Sequence, residues 1–319
     1  MNTSINFPDD FRGVFAVPPL CRDDNPSRTI NFAQNALVVE HIRNGGITRL
    51  IYGGNAFLYH TTLDEYAWLV DWAAGLEDDV WVIPSLGPSF GRAIDQAPLI
   101  RAFDFPCAMV LPCNDPRDPK GLEEGYRQIS DAAETKLLLY LKDETSFGLD
   151  LEKGLDAVGR LFDDGVCIGI KYAVVREHPA QDKYLDGLLK RVNRTSVISG
   201  IGERPAVTHL RDWQLPGFTT GSGCIAPRLS EALFAACARK DFAAAEKIRN
   251  EFIPLEDLRD AWSPAKVLHE AVEQAGIATT GAIPPFLSEL PAEQVAELAP
   301  IARELLERNA TSDKLQFVA

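Results

Sequence analysis

The stretch that decides the fold is KLLLYLKDETSFGLDLEKGLDAVGRLFDDGVCIGIK, residues 136–171. It begins with one short apolar run, Lys136–Tyr140, and ends with another, Val166–Lys171. Between them, residues 150–163 carry apolar side chains at three- and four-residue spacing, which is typical of an amphipathic helix. Two such runs separated by a helix form a βαβ unit, whose strands lie parallel in one sheet.

The same alternation extends outward in both directions and predicts eight strands. Units of about 25 to 35 residues fit a (β/α)8 TIM barrel, an α/β fold with one core. The predicted strands are Gly13–Val17, Thr48–Tyr52, Val80–Pro84, Ala108–Leu111, Lys136–Tyr140, Val166–Lys171, Ser196–Ser199 and Gly217–Thr220. The predicted helices between them lie near 30–45, 62–75, 92–104, 120–133, 150–163, 181–192 and 203–212.

After the eighth strand the pattern becomes purely helical and alanine-rich. We therefore expect a barrel core in residues 1–228, followed in 229–319 by the last barrel helix and a C-terminal helical segment. The predicted helices of this segment are Leu229–Asn250, with a break at Lys240–Asp241, and two more near 263–275 and 291–308.

A doubly wound open sheet is the main alternative fold. It predicts a glycine-rich dinucleotide fingerprint after an early strand, and no such motif stands there. The nearest match, Gly221–Ala226, follows the last strand instead. That position favours a loop at the mouth of a barrel that binds a phosphate or carboxylate.

Composition narrows the classes of partner and compartment. The formal net charge of the 319 residues is -14, without a cluster of basic residues, which disfavours nucleic acid and anionic membrane surfaces as partners. No apolar run approaches the roughly 18 residues that a spanning helix needs. Six cysteines without a C-x-x-C pair predict neither disulfides nor a zinc site. We expect a soluble cytoplasmic protein without a cofactor.

Lys171 and Tyr140 are the candidate catalytic residues, because each stands at the end of an apolar strand. Burial lowers the pKa of a lysine, and a neutral amine attacks carbonyl carbons. A tyrosine hydroxyl both donates and accepts, so it can relay protons. The alternatives are a lysine whose head reaches solvent and a rim tyrosine that only packs. Lys142 is either a second cation near the site or a solvated loop residue.

The five histidines lie in separate segments, so no metal site is indicated. Only His60 follows a strand end, where it is either a substrate contact or a surface loop residue.

Several short motifs between residues 11 and 305 together resemble the dihydrodipicolinate synthase / N-acetylneuraminate lyase family of class I Schiff-base enzymes. They include both candidate catalytic residues and the loop after the last strand. The motifs are Gly45–Ile47, Thr62–Tyr66, Tyr140, Gly169–Lys171, Ser199–Gly200, Gly221–Ile225, the run LSEALFAACARKDFAAAEKI after Arg228, and Pro264–Lys266.

The resemblance implies a lyase in which Lys171 forms an imine with pyruvate or a related 2-oxo acid, and Tyr140 shuttles the proton. It also implies a homo-oligomer, either a dimer or a tetramer. We expect the substrate to contact backbone or side-chain groups of Gly54, Asn55, Gly200, Gly223 and Ile225.

Three loops depart from the pattern of the family. The family's GTTGE is replaced by Gly53–Phe57, its paired tyrosines by Pro112–Asp115, and its arginine after Tyr140 by Lys142–Ser146. These changes argue against the lysine-biosynthesis synthase and favour an aldolase or dehydratase acting on a sugar-derived 2-oxo acid. The alternative is a catalytically inactive barrel that binds small molecules or regulates. A metal- or nicotinamide-dependent barrel enzyme lacks its ligands and fingerprint.

Overall fold

The computed structural model describes residues 1–3 and 9–311 of the chain. In this part, parallel strands alternate with helices until Thr220, and only helices follow. The strands are β1 (Gly13–Ala16), β2 (Arg49–Ile51), β3 (Trp81–Ile83), β4 (Ser85–Leu86), β5 (Ala108–Val110), β6 (Leu137–Leu141), β7 (Cys167–Tyr172), β8 (Val197–Ser199) and β9 (Gly217–Thr220). The helices are α1 (Phe32–Asn44), α2 (Leu63–Ala74), α3 (Phe90–Arg101), α4 (Pro119–Ala133), α5 (Leu151–Asp163), α6 (Lys183–Leu189), α7 (Glu203–Arg211), α8 (Pro227–Ala238), α9 (Phe242–Ala261), α10 (Pro264–Gln274) and α11 (Ala292–Ala310).

The strands form one parallel sheet in the order β3-β2-β1-β9-β8-β7-β6-β5-β4. Its two edges, β3 and β4, are consecutive pieces of one strand that is interrupted at Pro84. The sheet therefore curls into a nearly closed ring of eight strand positions with the helices around it. The predicted fold, a (β/α)8 barrel with C-terminal helices, is confirmed.

Most predicted boundaries differ from the observed ones by one to three residues, and two of the differences have a structural explanation. The third strand was expected to end at Pro84, but pairing resumes beyond it, because the proline lacks only the N–H while its carbonyl accepts from the amide of Met109 at 2.8 Å. The helix expected to end at Asn250 continues as α9 to Ala261, since Phe252 and other apolar residues of its last turns are buried in the core.

The break predicted at Lys240–Asp241 is confirmed. Lys240 adopts a left-handed backbone conformation with φ of 63°, and Asp241 caps α9 by accepting from the amide of Ala244. Side-chain caps also start α1, α2, α4, α5 and α6, and in α2 Thr62 and Glu65 form a reciprocal capping box. No helix of residues 1–3 and 9–311 is long and apolar enough to cross a membrane.

An aromatic cluster closes the barrel at the amino ends of the strands. The ring centroid of Phe11 lies 5.9 Å from that of Phe15 and 6.2 Å from that of Trp81. A Cβ on Gly169 would lie only 2.2 Å from the ring of Phe11, so Gly169 faces the interior and its missing side chain makes room for the cluster. This contact fixes which face of β7 points inward.

Gly169→Ala tests this packing. The added methyl group would meet Phe11 and also a side-chain carbon of Leu138 at 2.8 Å. We expect a loss of about 1–3 kcal/mol in the free energy of unfolding, measured by urea denaturation, because the core is overpacked. Gly91→Ala in α3 is the control, since no heavy atom lies within 4 Å of that Cβ position. Equal stability of the two variants would contradict the inward orientation of Gly169.

Candidate active site

Lys171 lies inside the barrel mouth, as the alternation of β7 requires. Side chains two residues apart share a face of a strand, so Lys171 points inward like Gly169, but closer to the carboxyl ends of the strands. On β6, Tyr140 follows the inward Leu138 in the same way and stands directly beside Lys171 in the register. The Nζ atom of Lys171 lies 4.5 Å from the centroid of the Tyr140 ring. The structure thus brings the two predicted catalytic residues together.

The Lys171 amine is desolvated. Only 5% of the residue is exposed, and no carboxylate of the described residues forms an ion pair with it. Burial, with a smaller contribution from the positive charge of Arg259, lowers the pKa of Lys171 to about 7. A large fraction of the amine is therefore neutral and nucleophilic near neutral pH.

The second cation near Lys171 is Arg259, whose positive charge helps to lower the pKa of the Lys171 amine. The sequence had suggested Lys142 for this position. Lys142 is exposed. Arg259 projects from α9 beneath the loop after β9, where its Nη1 donates to Glu256 at 2.7 Å and to Ser222 at 3.2 Å. A Cβ on Gly221 would lie 2.6 Å from the guanidinium, so a residue without a side chain is needed there.

A second buried carboxylate, Glu203, belongs to the same cluster. It accepts from the Ser230 hydroxyl at 2.6 Å and is fully buried. Burial and the nearby Glu256 raise the pKa of Glu203 to about 7, because two adjacent carboxylates resist carrying charge together. Sequence reasoning missed Glu203, Glu256 and Arg259, whose only signal is charge on otherwise apolar helix faces.

The turn after β2 offers backbone donors at the mouth of the barrel. The amides of Gly54 and Asn55 begin a short 3₁₀ turn and donate to no acceptor in residues 1–3 and 9–311. The Asn55 side chain, which we expected to add a donor for the substrate, gives a hydrogen bond to the Val17 carbonyl at 2.8 Å. It therefore holds the turn against the strand next to it.

Tyr59, from the loop between β2 and α2, also reaches this turn. One of its ring carbons lies 3.6 Å from the position that a Cβ on Gly54 would take. Burial, and to a smaller extent Tyr59, raise the pKa of Tyr140 well above its ordinary value, and burial raises the pKa of Tyr59 to about 12. Both phenols stay protonated at neutral pH and can donate a hydrogen bond. Sequence reasoning singled out His60 in this loop and missed its neighbour.

The remaining predicted contacts, Gly200, Gly223 and Ile225, lie at the ends of β8 and β9. Their backbone groups already have partners: the Gly200 amide donates to Tyr172 at 2.6 Å, and the Gly223 amide donates to Thr220 at 2.6 Å. Ile225 is fully buried, and the His41 ring lies 2.9 Å from its carbonyl oxygen. Their role as substrate contacts stays a prediction.

Metal ligands do not cluster in this structure. Within the part of the chain that the structure describes, no three histidine, cysteine, aspartate or glutamate side chains are arranged to hold a metal ion.

Fold and site together define a (β/α)8 barrel with an interior lysine–tyrosine pair. No family model matches the sequence, and no curated protein does. Solved structures do match over nearly the whole chain. The dihydrodipicolinate synthase of Bacillus clausii is 20% identical with a TM-score of 0.78, covering 93% of this chain and 99% of that one.

Two further structures are similar to the same extent. The 4-hydroxy-tetrahydrodipicolinate synthase of Methylacidiphilum fumariolicum is 16% identical with a TM-score of 0.80, covering 95% of this chain and 99% of that one. The dihydrodipicolinate synthase of Agrobacterium tumefaciens is 13% identical with a TM-score of 0.81, covering 94% and 100%. These likenesses confirm, at the level of the fold, the resemblance seen in the sequence.

The lowered pKa of Lys171 is measurable. We expect its rate of acetylation by trace acetic anhydride, followed by mass spectrometry across pH, to have a midpoint near pH 7. The exposed Lys153 is the control, because Asp150 holds its pKa above the ordinary 10.5. A midpoint for Lys171 close to that of Lys153 would show that its amine is solvated.

Proposed function

We propose that the protein is a class I lyase of the dihydrodipicolinate synthase / N-acetylneuraminate lyase family, which forms a Schiff base with pyruvate or a sugar-derived 2-oxo acid. The observation that carries this proposal is the desolvated Lys171 amine, 4.5 Å from the Tyr140 ring inside the barrel mouth. The similarity of the fold to dihydrodipicolinate synthases supports it.

In the proposed reaction, the neutral Lys171 amine attacks the 2-oxo carbon, and loss of water gives an imine. The protonated imine nitrogen withdraws electrons, so an adjacent C–H or C–C bond can break to leave an enamine. Tyr140 transfers protons during these steps, with Tyr59 beside it. The free amides of Gly54 and Asn55 hold the substrate carboxylate. This scheme serves aldol cleavage and dehydration alike.

The division of the chain is part of the proposal. Residues 1–228 make the barrel core, and residues 229–319, of which 312–319 lie outside the described residues, supply the last barrel helix and a helical segment. Because Arg259 belongs to the C-terminal helical segment, this segment contributes to the electrostatics of the site. We also infer a cytoplasmic homo-oligomer, a dimer or tetramer, from the family resemblance.

The loop changes at Gly53–Phe57, Pro112–Asp115 and Lys142–Ser146 direct the proposal away from the lysine-biosynthesis synthase. The turn after β2 has lost its threonine hydroxyls, and the loop after β6 has no arginine. Because of these changes, we expect other residues to bind the polar groups of the substrate than in the lysine-biosynthesis synthase.

Trapping with borohydride tests the proposal. Incubation with pyruvate and sodium borohydride is expected to add a reduced pyruvyl group to the peptide that contains Lys171, detected by mass spectrometry, because hydride reduces the imine to a stable amine. Lys171→Met should abolish the adduct, and the exposed control Lys142→Met should keep it.

A protein that stays unmodified with pyruvate and a panel of sugar-derived 2-oxo acids would contradict the enzyme proposal and favour an inactive barrel that binds small molecules. In the same preparation, we expect no useful condensation of pyruvate with aspartate semialdehyde. Robust turnover in that assay would contradict the exclusion of the lysine-biosynthesis synthase.

Tyr140→Phe separates imine formation from proton transfer. We expect trapping on Lys171 to persist, while exchange of the pyruvate methyl protons in D2O, followed by NMR, slows about 10²-fold or more, as for loss of a general acid–base group. Tyr184→Phe is the control, because Tyr184 lies on α6, outside the barrel, stacked on Tyr172. Equal exchange rates in both variants would remove Tyr140 from the mechanism.

A further inference from the structure

A cavity of about 560 Å³ opens beside the turn after β2. Its walls come from the loop after β1, the loop between β2 and α2, the start of α2 and α3, and the segment before α11. None of its side chains has a role in the chemistry described so far except Tyr59.

The lining is positively charged in a strongly acidic protein. Three arginines, Arg22, Arg28 and Arg92, face one glutamate, Glu65, while the whole chain carries a net charge of -14. Glu65 pairs with Arg22. Arg28 and Arg92 have no carboxylate within ion-pair distance in residues 1–3 and 9–311. The cavity is therefore a local site of positive potential, which attracts anions.

The guanidinium groups are also short of acceptors. Arg22 is only 3% exposed, and its Nε and Nη2 atoms are buried without a hydrogen-bond partner. The Nε atoms of Arg28 and Arg92 are likewise buried without a hydrogen-bond partner in the described chain. Buried donors without acceptors cost free energy, and the oxygens of a carboxylate or phosphate match guanidinium donors in geometry and charge.

Tyr59 connects this cavity to the candidate active site. It forms part of the cavity wall, and one of its ring carbons lies 3.6 Å from the position that a Cβ on Gly54 would take, in the turn whose amides have no acceptor in residues 1–3 and 9–311. It also lies close enough to Tyr140 to act on it electrostatically. Tyr59 is therefore shared between the cavity wall and the surroundings of the Gly54 turn and Tyr140.

We propose that this cavity binds a second anionic group of the substrate, a carboxylate or phosphate at the far end of the 2-oxo acid, through Arg28, Arg92 and Arg22. This inference rests on the proposed function, which supplies the reacting end of the substrate. It names the class of substrate as a 2-oxo acid with a distal anion and assigns specificity to the loop after β1 and the start of α3.

The test compares 2-oxo acids of matched length with and without the distal charge in the borohydride reaction. The pairs are 2-oxoglutarate with 2-oxovalerate, 2-oxoadipate with 2-oxohexanoate, and 2-keto-3-deoxy-6-phosphogluconate with 2-keto-3-deoxygluconate. For at least one pair, we expect the member with the distal anion to half-saturate Lys171 at a concentration lower by about tenfold or more than its partner needs. A tenfold difference corresponds to about 1.4 kcal/mol of binding free energy. The first two pairs test a distal carboxylate and the third pair tests a distal phosphate, so the results show which of the two groups the cavity prefers.

Arg28→Ala with Arg92→Gln should remove this preference and leave trapping of the partners that lack the distal anion unchanged. The Arg28 side chain is partly exposed and donates no hydrogen bond in the described structure, so its replacement should leave the fold intact. Arg43→Ala is the matched control, since Arg43 pairs with Asp79 on the surface. Equal saturation by all pairs in the wild type, or a preference that survives the double substitution, would overturn the inference.

Failure of the proposed function gives a different result. If no 2-oxo acid modifies Lys171, the substrate role of the cavity falls with it. Calorimetry on Lys171→Met, which cannot form an imine, then asks whether 2-oxoglutarate still binds and whether Arg28→Ala weakens that binding tenfold; such binding would support the anion site. Inorganic phosphate that binds the cavity without affecting trapping would mark an independent anion site and overturn the substrate assignment.

Discussion

The position of one amine constrains much of this molecule. Lys171 stands at the carboxyl end of a central strand, surrounded by protein on all sides and without a counter-ion among the described residues. Removing an ammonium group from water is unfavourable, so burial lowers the pKa of this side chain. The same desolvation that weakens the fold locally increases the neutral fraction of the amine, which is the form that the proposed reaction needs.

Two glycines shape the surroundings of Lys171, because each lets another side chain come closer to the backbone than a Cβ atom would allow. Gly169 admits Phe11 into the amino end of the barrel, which leaves only the carboxyl end open. Gly221 admits the guanidinium of Arg259 under the last loop, where it adds positive charge near the amine. The carboxylate of Glu256 holds that guanidinium in place, so the electrostatics of the site depend on a helix, α9, that follows the last strand.

Charge is distributed unevenly around the mouth. On the side of β7 to β9, a buried network pairs Arg259 with Glu256. On the side of β1 to β4, Arg28 and Arg92 remain without carboxylate partners in the described chain, around a cavity whose wall includes Tyr59. A network that satisfies itself serves to hold groups in position, whereas unpaired guanidinium groups beside a cavity are suited to a ligand.

The sequence by itself determined the local pattern: eight strand positions, the break at Lys240–Asp241, and the placement of Lys171 and Tyr140 at the ends of neighbouring strands. These features depend on residues close together in the chain, where period and turn chemistry are informative. Only the tertiary structure decided that Arg259 acts on Lys171 and that Tyr59 comes within electrostatic reach of Tyr140. Such contacts join loops and helices far apart in sequence, and the geometry of barrel closure, which no local pattern encodes, brings them together.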